Sequence, residues 1–99
     1  MPKLFRPDIP PRIAEIIRSL SPDVKRSVRA AIDEIAFNPE CGEPLRGELS
    51  TYWKYRVRRF RIIYAVDKMK RVIRIMAIAH RRDIYEDFAT QLKMAGPRK

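Results

Sequence analysis

Lys54 and Arg56 stand two residues apart, Arg61 follows, and the run His80-Arg81-Arg82-Asp83-Ile84-Tyr85 sets an imidazole, two guanidinium groups and a phenol within six residues. Together these groups suit one reaction, cleavage of a phosphodiester by a neighbouring 2′-hydroxyl. That reaction needs a base for the hydroxyl proton, cations for the charge on the phosphoryl oxygens and an acid for the leaving oxygen. Arginine supplies the cations, and either His80 or Tyr85 could supply the base. No metal is required, and the sequence shows no carboxylate cluster suited to Mg²⁺. Each residue also has a purely structural reading. Lys54 and Arg56 would be a solvated strand face, His80 a strand-end side chain, and Tyr85 a staple between the last helix and the sheet.

The charge distribution favours the chemical reading. Residues 52–82 hold eleven basic side chains against Asp67 alone, and that surplus equals the chain's whole formal charge of +10. The other 68 residues balance, eleven against eleven. Such crowding of Lys54, Arg56, Arg58, Arg61, Arg74, Arg81 and Arg82 repels itself unless a polyanion normally faces it, and nucleic acid is the first candidate. Interleaved aromatic residues, Tyr52, Trp53, Tyr55 and Phe60, could stack on bases if exposed, although Trp53, Tyr55 and Phe60 read better as core.

At 99 residues and 45% apolar composition the chain is expected to be one domain, 1–99, with one core. One cysteine, Cys41, and one histidine rule out an internal disulfide and a zinc cluster. Cys41 reads as a bystander. The prolines at 2, 7, 10 and 11 break any signal peptide, and no apolar run approaches the roughly 20 residues of a membrane span, so a cytoplasmic protein without cofactor is expected.

The elements that must position these residues follow from periodicity. Residues 3–5 could form a brief edge strand. Ile13, Ile16, Ile17 and Leu20 recur at helical spacing, and Ser21-Pro22-Asp23 reads as the cap and first turn of a second helix with Val24, Val28, Ala31, Ile32 and Ile35 inside. Asn38-Pro39 ends this helical hairpin, about 11–38. Residues 40–51 read as a loop. The period then becomes two: Trp53, Tyr55 and Val57 alternate with Lys54, Arg56 and Arg58, and further strands span about 60–66 and 72–79. Phe88, Leu92 and Ala95 mark a short helix, about 86–95, stopped by Gly96-Pro97. The expected architecture is α+β with the helices packed on one sheet face: a helical hairpin, about 11–38, on an antiparallel three- to four-stranded sheet, about 52–80, and a short C-terminal helix.

Leu45-Arg46-Gly47, Tyr52-Trp53-Lys54-Tyr55-Arg56-Val57, Phe60-Arg61-Ile62-Ile63-Tyr64 and Ala79-His80-Arg81-Arg82-Asp83-Ile84-Tyr85, in that order, resemble the RelE/ParE toxin superfamily over roughly residues 11–92. The resemblance to the RelE branch implies a toxin of a type II toxin–antitoxin pair, a metal-independent endoribonuclease that cuts mRNA in the ribosomal A site. It implies Lys54 and Arg56 as phosphate grips, Arg61 and Arg81 as transition-state cations or, for Arg81, the acid, and Tyr85 as orienting group or base. Related branches place a histidine at the position of His80, a second candidate base. Arg58, Arg74 and Arg82 would extend the RNA-binding surface. The implied partners are the ribosome with its mRNA and a cognate antitoxin, acidic and partly disordered when free. Two departures stand out: the proline-rich start blurs the family's opening strand, and Arg56 replaces a lysine found in some members, which removes a titratable amine. The ParE branch, a non-catalytic poison of DNA gyrase on the same fold, is the main rival, and a plain RNA-binding module is a third.

Overall fold

In the computed structural model, which describes residues 4–95, helices and strands follow in the order β1 (Arg6–Asp8), α1 (Pro11–Ser19), α2 (Pro22–Phe37), β2 (Glu43–Pro44), β3 (Tyr52–Val57), β4 (Phe60–Asp67), β5 (Val72–His80) and α3 (Ile84–Ala95). Single 3₁₀ turns fill Pro39–Cys41 and Gly47–Leu49. Both hairpin helices begin with proline at the first turn, where its missing N–H costs nothing. Ser21 occupies the N-cap of α2, but its hydroxyl makes no capping bond. The proposed stop at Gly96-Pro97 lies outside the described residues.

The sheet differs from the sequence expectation in three ways. It has five strands in the order β1-β5-β4-β3-β2, and it is mixed, because β1 runs parallel to β5 while the other pairs are antiparallel. The opening strand falls at Arg6–Asp8 rather than 3–5; Arg6 donates to the Arg71 carbonyl at 2.9 Å, and proline is tolerated because β1 is an edge. The loop 40–51 contributes β2, only two residues long, which pairs Glu43 with Lys54 and Pro44 with Trp53.

The helices also occupy both faces, not one. Ile62, Tyr64, Ile73, Ile75 and Ile78 pack with Ile13, Ile17, Val28, Ile32 and Ile35 on the hairpin side. Ile63 and Ala77 pack with Leu45, Ile84 and Phe88 on the other. β4 is therefore apolar on both sides, with Ile62, Ile63 and Tyr64 fully buried. A bulge reconciles the spacing in β5. Ile63 pairs with Ala77 and Tyr64 with Ile75, which leaves Met76 as the extra residue, so that Ile75 and Ile78, three apart, share the hairpin side.

Tyr64 ties the irregular segment to this core. Its buried hydroxyl donates to the Pro39 carbonyl at 2.7 Å and accepts from the Gly42 N–H at 3.2 Å. Burial pushes the phenol far above its ordinary range, so it stays protonated and keeps donating. Gly42 passes so close that a Cβ there would lie 2.6 Å from both the Lys54 carbonyl oxygen and the Tyr64 hydroxyl. Tyr64→Phe should lower unfolding free energy by about 1–3 kcal/mol, since it orphans the buried carbonyl and amide; urea denaturation measures this, and an unchanged midpoint would contradict the role.

Candidate nucleic-acid interface and active site

On the α3 side of the sheet the register builds a polar cleft. Arg56 lies directly opposite Arg61 across β3 and β4, and Lys54 sits two residues along β3. Glu43 closes the row from β2, opposite Lys54. A cleft of about 300 Å³ opens at the edge of β3 beside β2, lined by Lys54, Tyr55, Arg56, Arg61, Glu43, Gly42 and Cys41. Tyr85, on the first turn of α3, meets the cleft through Lys54: the Lys54 Nζ donates to the Tyr85 hydroxyl at 2.7 Å and lies 5.3 Å from the ring centroid. The phenol remains 53% exposed, open to a ligand.

Two arginines facing each other across a ladder repel, because like charges directly opposite are destabilising. Part of Arg61 is engaged elsewhere: its Nη1 donates to the Arg58 carbonyl at 3.0 Å and the Phe60 carbonyl at 2.8 Å, which pins the guanidinium at the β3–β4 turn. That turn has two central residues, Arg58 and Arg59, with Arg58 at φ 56°. Arg81 is held to the same turn by its backbone, its N–H donating to the Arg59 carbonyl at 2.7 Å. Four cations, Arg56, Arg58, Arg61 and Arg81, thus gather at one corner, with Arg82 next in the chain.

The fold does not bring two of the sequence candidates to this corner. His80 points to the hairpin side, its ring edge-on to Phe60 at 5.9 Å, with Nδ1 accepting from the Arg82 N–H at 3.3 Å. Arg74 lies on the α3 side but opposite Ala65, four residues along β4 from Arg61 and so roughly 13 Å away. Its Nε donates to the Asp8 carboxylate at 3.1 Å. Two other residues do belong to the cleft although sequence reasoning passed over them. Glu43 was hidden because a two-residue strand leaves no periodic signal. Cys41 also lines the cleft, where burial first and then Glu34 raise its thiol, which argues against a reactive thiolate. Among the described residues no group of three His, Cys, Asp or Glu could hold a metal, and no helix is long and apolar enough to cross a membrane.

With this geometry in hand, the comparisons are decisive on family. Residues 10–85 match the family described as ParE toxin of type II toxin-antitoxin system, parDE. This chain belongs to that toxin family. No curated protein matches it. Among solved structures, the Escherichia coli toxin RelE in the free state, as an arginine-substituted mutant, aligns with a TM-score of 0.72 at 20% identity, covering 90% of this chain and 98% of that one. The toxin–antitoxin complex RelBE2 from Mycobacterium tuberculosis gives 0.69 at 20% identity over 77% and 96%. An archaeal RelE–RelB complex from Pyrococcus horikoshii gives 0.66 at 21% over 79% and 96%. The toxin therefore has the RelE-like fold within the RelE/ParE superfamily, and toxins of that fold are seen bound to an antitoxin.

α3 sets the position of Tyr85, and its far side is polar. Arg12 of α1 donates from Nη1 to the Gln91 Oε1 at 3.3 Å. One turn back, the Oδ2 of Asp87 is buried without a hydrogen bond. Burial raises the Asp87 carboxyl above its ordinary 3.8; Arg12 opposes the shift and Asp83 adds to it. A folded-state value above the unfolded one means that the folded chain holds this proton more tightly. The contribution of Asp87 to stability therefore falls as pH rises from about the ordinary 3.8 through the raised value. Asp87→Asn should be more stable than the parent at neutral pH, and the gain should vanish in acid as both states of the parent become protonated. Thermal melts of the two proteins across pH check this, and a gain independent of pH would refute it.

Proposed function

We propose that this toxin cleaves RNA, cutting mRNA in the ribosomal A site without a metal. The observation that carries the reading is the 2.7 Å contact of Tyr85 with Lys54, a residue that lines one cleft together with Arg56, Arg61 and Glu43. In this reading the 2′-oxygen forms a bond to phosphorus and the bond to the 5′-oxygen breaks, leaving a 2′,3′-cyclic phosphate and a 5′-hydroxyl. The Glu43 carboxylate takes the 2′-hydroxyl proton. Tyr85, its oxygen held by the Lys54 ammonium, has its own proton free to give to the departing 5′-oxygen. Arginine does not release a proton in proteins, so Arg81 acts as a fixed cation rather than an acid. Arg56, Arg61 and Arg81 neutralise the phosphoryl oxygens as charge builds. Arg58 and Arg82 extend the grip on the backbone, while His80 and Arg74 lie outside the reacting centre. Such a target implies action in the cytoplasm, with an acidic antitoxin as the antagonist of the basic corner.

The family match favours a second reading, a ParE-type toxin that binds and poisons DNA gyrase without catalysis. The separating experiment is mRNA integrity in a reconstituted translation reaction, with and without ribosomes. Ribosome-dependent cuts support cleavage; intact mRNA with folded toxin refutes it, and inhibition of supercoiling would then establish gyrase as the target. If cleavage is seen, Arg61→Ala and Glu43→Gln should each slow it about 100-fold or more, and Tyr85→Phe by a similar factor. His80→Gln should stay within about 2-fold, because the ring faces the other side of the sheet.

A further inference from the structure

The cleft leaves part of the basic surplus unused. Lys68, Lys70 and Arg71 sit at the opposite end of β4, seven strand residues and so roughly 23 Å from the β3–β4 turn. Their turn is held in shape: the Asp67 carboxylate accepts the Lys70 N–H at 3.0 Å, and Arg71 takes φ 57°. At its tip Met69 is 95% exposed. Beside the turn, on the hairpin side, is an apolar slot of about 130 Å³ walled by Phe5, Pro39, Trp53 and Val66. Trp53 lies near-parallel to Tyr64 at 6.4 Å, which keeps its ring fixed. Arg71 stands over the Phe5 ring at 5.4 Å. Lys68 at the mouth is 76% exposed and only loosely opposed by Glu40, 3.8 Å away. Asn38, also lining the slot, uses its carboxamide oxygen to accept the Glu40 N–H at 3.3 Å, which leaves its NH₂ as the donor for a guest.

A slot with Phe5 and Trp53 in its walls, Lys68 and Glu40 at its mouth and further cations on the adjoining turn suits an unpaired base with phosphates on either side. We propose that this end of the β4–β5 hairpin is a second nucleic-acid subsite, in which an unpaired base enters between Phe5 and Trp53 while Lys68 and Lys70 hold the flanking phosphates. The slot opens on the hairpin side, whereas Lys54, Arg56 and Arg61 of the cleft stand on the α3 face. Trp53 and Lys54 are neighbours pointing in opposite directions, so a flexible strand passing over the β2 edge could meet both. A flat lipid surface could not, and a polyanion without bases would leave the slot empty. The subsite rests on the reading of this toxin as acting on RNA, and it adds a binding role remote from the reacting centre.

Trp53 is the only tryptophan of the chain and reports on the slot directly. The probe is a single-stranded oligouridylate with 2′-O-methyl groups, which cannot be cleaved. Titrating it into the intact toxin should quench Trp53 emission saturably. Lys68→Gln with Lys70→Gln should weaken that binding about 10-fold and reduce the salt slope by about 1.4, from about 0.7 per phosphate on a single strand. Binding seen by anisotropy with silent Trp53, or an unchanged slope in the double variant, would overturn the subsite. Equal quenching by polyglutamate or by anionic phosphatidylserine vesicles would overturn it too. Failure of the nuclease reading looks different: quenching persists while mRNA in the translation reaction stays intact.

Discussion

β4 must be covered on both faces, and the rest of the structure follows from that constraint. Ile62 and Tyr64 face one way and Ile63 the other, all without solvent exposure. Leaving either face wet would forfeit about 1.5–3 kcal/mol for each large apolar side chain. The α1–α2 hairpin covers one side. α3 must then cross to the other, bringing Ile84 and Phe88 onto Ile63 and Ala77. Tyr85, between those two anchors, is carried to the rim of the cleft by the same packing. The exposed position of the phenol beside Lys54 is thus a by-product of burying a strand.

The electrostatics run against stability at that rim. Arg56 opposes Arg61, and Arg58, Arg59 and Arg81 crowd the adjoining turn. Backbone carbonyls absorb part of the cost through Arg61, and the Lys54 ammonium bonds the Tyr85 oxygen, with Glu43 at the register position opposite. What remains is a strongly positive surface whose neutralisation by an anionic partner is favourable. The segment from Pro39 to Pro44 is the other half of this arrangement. Tyr64 draws it down onto the sheet and Gly42 lets it approach, so that Glu43 arrives beside Lys54.

Much of this was legible from residue order. The helical hairpin, the three long strands and the alternation of Lys54 and Arg56 with Trp53, Tyr55 and Val57 all follow from periodicity, since burying one face of a helix or strand leaves a regular trace. β1 and β2 were obscure for the same reason: three residues and two residues are too few for a period, and their pairing is decided by distant partners. The bulge at Met76 was equally hidden, because an extra residue is visible only against the strand beside it.

Sequence alone determined the three helices and the three long strands, the basic surplus of residues 52–82 and the resemblance that pointed to the toxin superfamily, because composition, period and motif are properties of neighbours along the chain. Which of those residues share a site was decided only by tertiary structure. Register set Arg56 against Arg61 and Glu43 against Lys54, and strand alternation sent His80 to the hairpin side. The crossing of α3 brought Tyr85, 31 residues away in sequence, within 2.7 Å of Lys54. Contacts between distant segments depend on which faces must be buried together, and no local pattern carries that information.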